Sequence, residues 1–290
     1  MPLKTVLITG CGPNGIGSAL ATEFHMRGHR VFATGLDEDL LAHLHNLGIE
    51  TLVLDVTSAE SIKQTVAHVA KLTDSKLDIL VNNAGMMHVM PFADSDVEDA
   101  RRLFDVNVLG VIGVTRAFLP LLRSAAVASK NNGGGDALVA NIVSVNSEFR
   151  PPFFSFYNAS KAAVEVLGAS IRPELKPMGI RVVTVKTGSV GTGLFANAPV
   201  MRLPEESWYA PAREFIEGRR MLEQARFVQP EVYARNVVDE LLKTGWQVKK
   251  VVWQGGLSSF AWVLSWFGWE GMMDGIYIRG NKLNKCATHT

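Results

Sequence analysis

Seven short runs rich in β-branched and apolar residues recur along the chain, at Thr5–Thr9, Arg30–Thr34, Thr51–Val56, Asp78–Asn82, Ala137–Ser144, Ile180–Lys186 and Lys249–Trp253. Strands apolar on both sides belong to a sheet covered on both faces, and such sheets are parallel. Amphipathic stretches separate the runs, so the pattern is a βαβ alternation that right-handed crossovers wind into one open sheet. The expected architecture is α/β, a doubly wound, seven-stranded parallel sheet with helices on both faces. No linker rich in Pro or Ser and no internal repeat divides it, so residues 1–254 read as a single domain. The low-complexity patch Asn131–Asp136 reads as a surface loop.

Charge is balanced, 29 Lys and Arg against 28 Asp and Glu, which gives no field to gather nucleic acid or a strongly anionic membrane. With 47% hydrophobic and 20% charged residues the chain is not of the disordered class. Cys11 and Cys286 are too few for a disulfide framework and lack metal-binding spacing. His25 and His29 are separated by Gly28, which reads as a helix stop, so no metal site is expected. The chain starts directly on a strand-like segment without a secretory pattern, so a cytoplasmic protein is expected.

Two stretches break the alternation. Residues 189–229 are irregular, carry Phe195, Trp208, Tyr209 and Phe215, and leave the carboxyl end of the sixth strand. Ligands of open α/β sheets bind beyond those ends, so this insertion is expected to form a substrate lid. Residues 255–290 form an aromatic-rich tail with Phe260, Trp262, Trp266, Phe267 and Trp269 in ten residues. Its uncharged part, Gly255–Trp269, has 15 residues, short of the roughly 20 a spanning helix needs. Packing on its own fold or on another subunit is the expectation; peripheral contact with an intracellular membrane is the alternative.

The first strand runs into Gly10, Gly12, Asn14, Gly15, Ile16 and Gly17, and a helix follows over Ser18–Arg27. Glycines there permit a tight turn and bring backbone N–H groups and the positive end of a helix dipole up to a pyrophosphate, the phosphate-binding turn of a Rossmann fold. Asp55 and Val56 follow the third strand, and Asn82, Asn83, Ala84 and Gly85 follow the fourth, where an adenine or ribose should pass. Each alone fits an ordinary turn at a strand exit; together they favour a dinucleotide.

Tyr157 and Lys161 are four apart in a helix-favouring segment and share one face. A Lys ammonium near a phenol would pull its pKa of about 10 down by roughly one to three units, within reach of acid/base work. Ser144 ends the fifth strand and Asn107 lies in the preceding helix, at the same sheet edge.

This set of residues resembles the classical short-chain dehydrogenase/reductase family over Thr5 to about Trp253. The resemblance makes Tyr157 the proton donor or acceptor, Ser144 the holder of the substrate oxygen, Lys161 a ligand of the nicotinamide ribose, and Asn107 the holder of a relay water. It adds Gly35, Leu36, Thr187, Gly188, Val190 and Thr192, with Tyr157 and Lys161, to the cofactor-contacting positions. It also implies a homodimer or homotetramer. Two departures stand out: the loop carries four residues between Gly10 and Gly15, one more than usual, and Thr187-Gly188 stands where many members have Pro-Gly. With Glu23–His25 and Leu54–Thr57 these are similar to the branch of NADPH-linked 1-acyldihydroxyacetone-phosphate reductases. NADPH is therefore the preferred cofactor by resemblance, with NADH open, because Gly35 and Leu36 offer neither an acidic residue for NAD nor an Arg for a 2′-phosphate.

Met86, His88, Asn146, Phe149, Phe154 and Phe195 are expected to line an apolar substrate pocket. The reading is an NAD(P)H-dependent reductase of a hydrophobic carbonyl compound, lipid-like or polycyclic. Alcohol oxidation or a redox isomerisation on the same site is one alternative, and a non-catalytic dinucleotide sensor another.

Overall fold

The computed structural model describes residues 3–131, 136–193, 202–222, 226–244 and 247–288. Seven parallel strands form one sheet: β1 (Thr5–Ile8), β2 (Arg30–Gly35), β3 (Glu50–Val53), β4 (Ile79–Asn82), β5 (Ala137–Ser144), β6 (Ile180–Thr187) and β7 (Val251–Gln254). Their order is β3-β2-β1-β4-β5-β6-β7. The chain reverses direction across the sheet between β1 and β4, and at that switch a crevice opens beyond the carboxyl ends of the strands. β3 stops at Val53, short of the expected Val56, because Leu54, Asp55 and Val56 leave the ladder to face the crevice.

Strand alternation builds two cores. On one face α1 (Ile16–Met26) and α6 (Pro230–Leu241) bury Leu20, Phe24, Tyr233 and Val237 against Val6, Ile8, Val183 and Val185. On the other, α2 (Ala59–Thr73), α4 (Gly110–Asn131) and α5 (Ser155–Leu175) bring Val69, Phe118, Leu122 and Leu175 against Leu7, Leu80 and Val139. Local chemistry sets the helix ends. Ser58 accepts the Ser61 N–H ahead of α2, and Gly28, at φ +81°, follows α1 in a left-handed conformation that costs a glycine little.

The sequence over Val97–Leu119 carries an apolar stripe of helical period, with Phe104, Val108, Val111, Ile112 and Leu119, yet it is not one regular helix. α3 (Val97–Phe104) passes through a π-helical turn, Asp105–Leu109, before α4 begins, and Asn107 sits inside that turn. Such turns insert one residue and redirect a side chain. The run Val97–Lys130 is long and apolar enough to cross a bilayer by length and composition, yet Val111, Val114, Phe118 and Leu122 of it are buried in the protein core.

The tail packs only in part on its own fold. In α7 (Ser258–Phe267), Ser258 and Ala261 are buried and Phe260 stacks on Phe149, while Trp266, Phe267 and Trp269 remain 71%, 76% and 70% exposed. From α8 (Asp274–Gly280) the Tyr277 hydroxyl donates to the Phe149 carbonyl, and Arg150 pairs with Glu270. Of the insertion, residues 202–222 fold into short helical turns whose Leu203, Ala212 and Ile216 pack with Met87, Phe153, Phe154 and Tyr157.

Candidate active site

A cavity of about 470 Å³ lies at the switch point, and its lining brings together strand ends that are far apart in sequence. The loop after β1 forms its floor. Gly10 takes φ +72° and a Cβ there would lie 2.7 Å from Ala84 Cα, so only glycine lets the two loops touch. Gly12 is the opposite case: a Cβ there would meet nothing within 4 Å, and the backbone faces open space. α1 starts just behind, with no side-chain cap on its N-terminus and no acidic residue in its first turn. Its N–H groups and dipole are therefore available to an anion such as a pyrophosphate.

Asn83 ties this floor to β4. Its side-chain amide donates to the carbonyls of Thr9 and Gly10, and the Thr9 hydroxyl accepts the N–H groups of Asn83 and Ala84. Gly17 is packed into the same knot, where a Cβ would lie 2.4 Å from the Gly10 carbonyl oxygen and 2.6 Å from Asn83 Nδ2. Gly17→Ala is thus expected to displace the loop and weaken dinucleotide binding about tenfold, roughly 1.4 kcal/mol, read by fluorescence titration of NADPH and NADH. Unchanged affinity would show that the loop yields without cost.

At the other end, Tyr157 and Lys161 project from α5, both buried, and the Tyr157 hydroxyl lies beside Ser144, whose Oγ accepts the Asn146 N–H. Lys161 Nζ donates to the Ile142 carbonyl at 3.2 Å and lies 5.8 Å from the Tyr157 ring centre. Asn107 reaches the site from the π turn: its Oδ1 accepts the Met86 N–H, and its Nδ2 donates to the Met86 carbonyl and to Ser160 Oγ. Gly85 lets the two meet, since a Cβ there would lie 3.2 Å from Asn107 Oδ1 and 3.3 Å from Lys161 Nζ.

The electrostatics differ from the sequence expectation. Burial pushes the Tyr157 phenol up to about 12, opposed only by the Ser144 hydroxyl beside it, and burial pulls Lys161 down to about 8. The expected depression of Tyr157 by the Lys161 charge is absent because Nζ is turned to a backbone carbonyl and is itself desolvated. The phenol is therefore protonated at neutral pH.

Lys186 holds the turn that follows Ser144. Buried on β6, it pairs with Glu148 of that turn and with Glu165 of α5, and it lies over the Trp253 ring at 4.7 Å. An ammonium held by two carboxylates and a ring face is a stiff brace in a dry site.

The cavity lining includes Gly10, Gly12, Gly15, Ile16, Gly35, Leu36, Asp55, Val56, Ala84, Gly85, Met86, Ser144, Asn146, Tyr157, Lys161, Thr187, Gly188, Val190 and Thr192. Asn14, Gly17, Asn82 and Asn107 are not part of that lining: Asn14 is exposed on the loop and the other three are buried. Asn82 is turned into the sheet, where its amide donates to Thr115 and Asn141. Of the residues expected at the substrate, His88 instead stacks on Phe156, Phe149 faces Phe260 of the tail, and Phe154 is buried with Phe153 and Ile216. Phe195 lies outside the described residues, as do residues 132–135 of the expected surface loop. Sequence reading passed over the supporting hydrogen bonds of Thr9 and Ser160, whose only signal was their place beside Gly10 and Lys161.

The short chain dehydrogenase family profile matches residues 4–202, which contain the glycine loop, Asn107, Ser144, Tyr157 and Lys161. The chain belongs to the short-chain dehydrogenase family. It is 39% identical over 268 residues to the short-chain dehydrogenase ptmH of Penicillium ochrochloron, covering 91% of this chain and 93% of that one. To the short-chain dehydrogenase fogD of Aspergillus ruber it is 35% identical over 285 residues, covering 98% and 96%. Among solved structures, a short-chain dehydrogenase from Streptomyces avermitilis superposes with a TM-score of 0.75 at 26% identity over the whole of both chains. None of these three names carries the acyldihydroxyacetone-phosphate branch, which rests on the loop sequences alone. As a family member the chain is an oxidoreductase, and its parallel sheet is that of its solved relatives.

Proposed function

We propose that this dehydrogenase is an NAD(P)H-dependent reductase of a hydrophobic ketone or aldehyde. The observation that carries the reading is the buried, protonated Tyr157 beside Ser144, with Lys161 behind it, at one end of a cavity whose other end is the uncapped start of α1. A dinucleotide fits that layout. Gly12, Gly15 and the first turn of α1 would hold its pyrophosphate, Asp55, Val56 and Ala84 would flank its adenosine, and Lys161 and Thr187 would flank its nicotinamide ribose. When bound, it supplies the hydride.

The protein's own part is to hold and protonate. Ser144 and Tyr157 offer hydroxyls to one substrate oxygen, and Tyr157 gives its proton as negative charge builds there. A neutral phenol is the form a proton donor needs, and burial holds Tyr157 in that form at neutral pH. Asn107 bonds to Met86 and Ser160 and lies beside Lys161, where it would connect that ammonium with a relay water. Met86, Met87, Val145 and Val190 give the cavity an apolar side, which supports a hydrophobic substrate.

NADPH is the proposed donor. Asp37, the first of three carboxylates after Gly35 and Leu36, accepts the Leu40 N–H and, like Glu38 and Asp39, is not on the cavity wall. A homo-oligomer is proposed by family resemblance. The test follows NADPH and NADH oxidation by absorbance against short polar and bulky apolar ketones. Faster consumption of NADPH with the apolar set is expected, and dinucleotide binding without turnover across the panel would move the oxidation, isomerisation and sensor readings ahead.

A further inference from the structure

Where many family members carry Pro-Gly after the sixth strand, this chain carries Thr187-Gly188, and the threonine has a dedicated partner. Tyr233, on α6 and 46 residues away, is fully buried among Val183, Val185 and Val190, and its hydroxyl lies 2.6 Å from Thr187 Oγ1. Among the described residues Thr187 is the hydrogen-bond partner of that phenol. A neutral tyrosine in a core must place its proton on an acceptor, because a buried donor left unmade costs more than the bond gains. The reverse direction, threonine donating to tyrosine, would strand the phenol proton among aliphatic side chains. Tyr233 is therefore the donor, and Thr187 keeps its own hydroxyl proton to give away.

Thr187 lines the cavity, and it pairs with Ser144 across the β5–β6 ladder, so its side chain leaves the same face of the sheet at the same level. The backbone around it is fixed: its carbonyl accepts the Val145 N–H, and the next N–H, of Gly188, donates to Gln254. A proline at this position would offer no hydroxyl. We infer that Tyr233 is a positioning residue that fixes the Thr187 hydroxyl as a hydrogen-bond donor into the cavity, to the amide carbonyl of a nicotinamide ring. The inference rests on the dinucleotide reading above, and it assigns to a core helix a share in holding the ring from which hydride departs.

The test is a set of binding measurements on wild type, Tyr233→Phe, Thr187→Val, Thr187→Ser and the Tyr233→Phe/Thr187→Val pair. The probes are NADPH, NADH, their thionicotinamide analogues, and ADP-ribose with and without its 2′-phosphate. Tyr233→Phe and Thr187→Val are each expected to raise the Kd of the preferred reduced dinucleotide about 5- to 10-fold, and the pair no further. Wild type should favour the carboxamide over the thioamide, a weaker acceptor, and both single variants should lose that preference. Thr187→Ser, which keeps the hydroxyl, should stay near wild type, and it carries the test should Tyr233→Phe fold poorly. ADP-ribose or its 2′-phosphate, which have no nicotinamide ring, should bind all five proteins alike. Equal dinucleotide affinity in wild type and Thr187→Val, or additive losses in the pair, overturns the inference. Failure of wild type to bind either ADP-ribose or dinucleotide overturns the dinucleotide reading instead.

Discussion

Replacing Tyr157 by Phe is expected to lower turnover by about 10²- to 10⁴-fold, the range that a positioned proton donor contributes, with dinucleotide affinity within about twofold of wild type. One oxygen is removed. The ring keeps its contacts with Met87, Leu103 and Phe153, and the glycine loop at the other end of the cavity is untouched. Ser144 keeps the Asn146 N–H that its hydroxyl accepts and still faces the cavity, so substrate binding weakens less than the chemical step. Single-turnover oxidation of bound NADPH separates the two effects. A variant that retains more than a tenth of wild-type turnover would remove Tyr157 from the role of donor.

The second large effect is on stability and has the opposite sign. Lys161 is charged at pH 7 inside a site that lowers its pKa from 10.5 to about 8. Between about pH 8 and pH 10 the unfolded chain holds a proton on this residue that the folded chain has released, so stability from this group rises with pH across that window. Below pH 8 the buried ammonium costs the fold on the order of 3 kcal/mol. Lys161→Met fills the same space without the charge. It is expected to melt about 5 °C above wild type at pH 7, with the gap narrowing by pH 9.5, while turnover collapses. Parallel thermal melts at the two pH values decide it: a variant that melts below wild type at pH 7 by a pH-independent amount would show that the ammonium is held without cost.

The strands were legible because each had to be apolar on both sides, and β5 begins at Ala137 and ends at Ser144 as its composition predicts. The cofactor-facing loops were legible for a related reason. A residue that must leave a strand end, tolerate φ +72° or admit a neighbouring backbone is one of very few types, and Gly10 and Gly85 announce themselves. Direction was harder to read than position. Asn82 ends β4 like a lining residue, yet it points between Asn141 and Thr115, and the next residue, Asn83, ties the loop. Phe149 follows the catalytic strand, but the tail claims its ring and its carbonyl, a contact across more than a hundred residues that no local pattern encodes. The π turn at Asp105–Leu109 leaves the apolar stripe unbroken in the sequence while changing which way Asn107 points. The pull of the Lys161 charge on Tyr157 is not legible in the sequence, because proximity along a helix says nothing of what surrounds a group once it is buried.

All seven strands run the same way, and this gives the molecule two unlike poles. The strands begin at one, where Lys4 faces Asp78 and the chain enters β1, and the cavity opens at the other. Eight residues of β5 or β6 separate them by about 26 Å. A tether joined ahead of β1 therefore holds the protein by its foot, with the mouth of the cavity turned away from the support and free to exchange small molecules with the bulk.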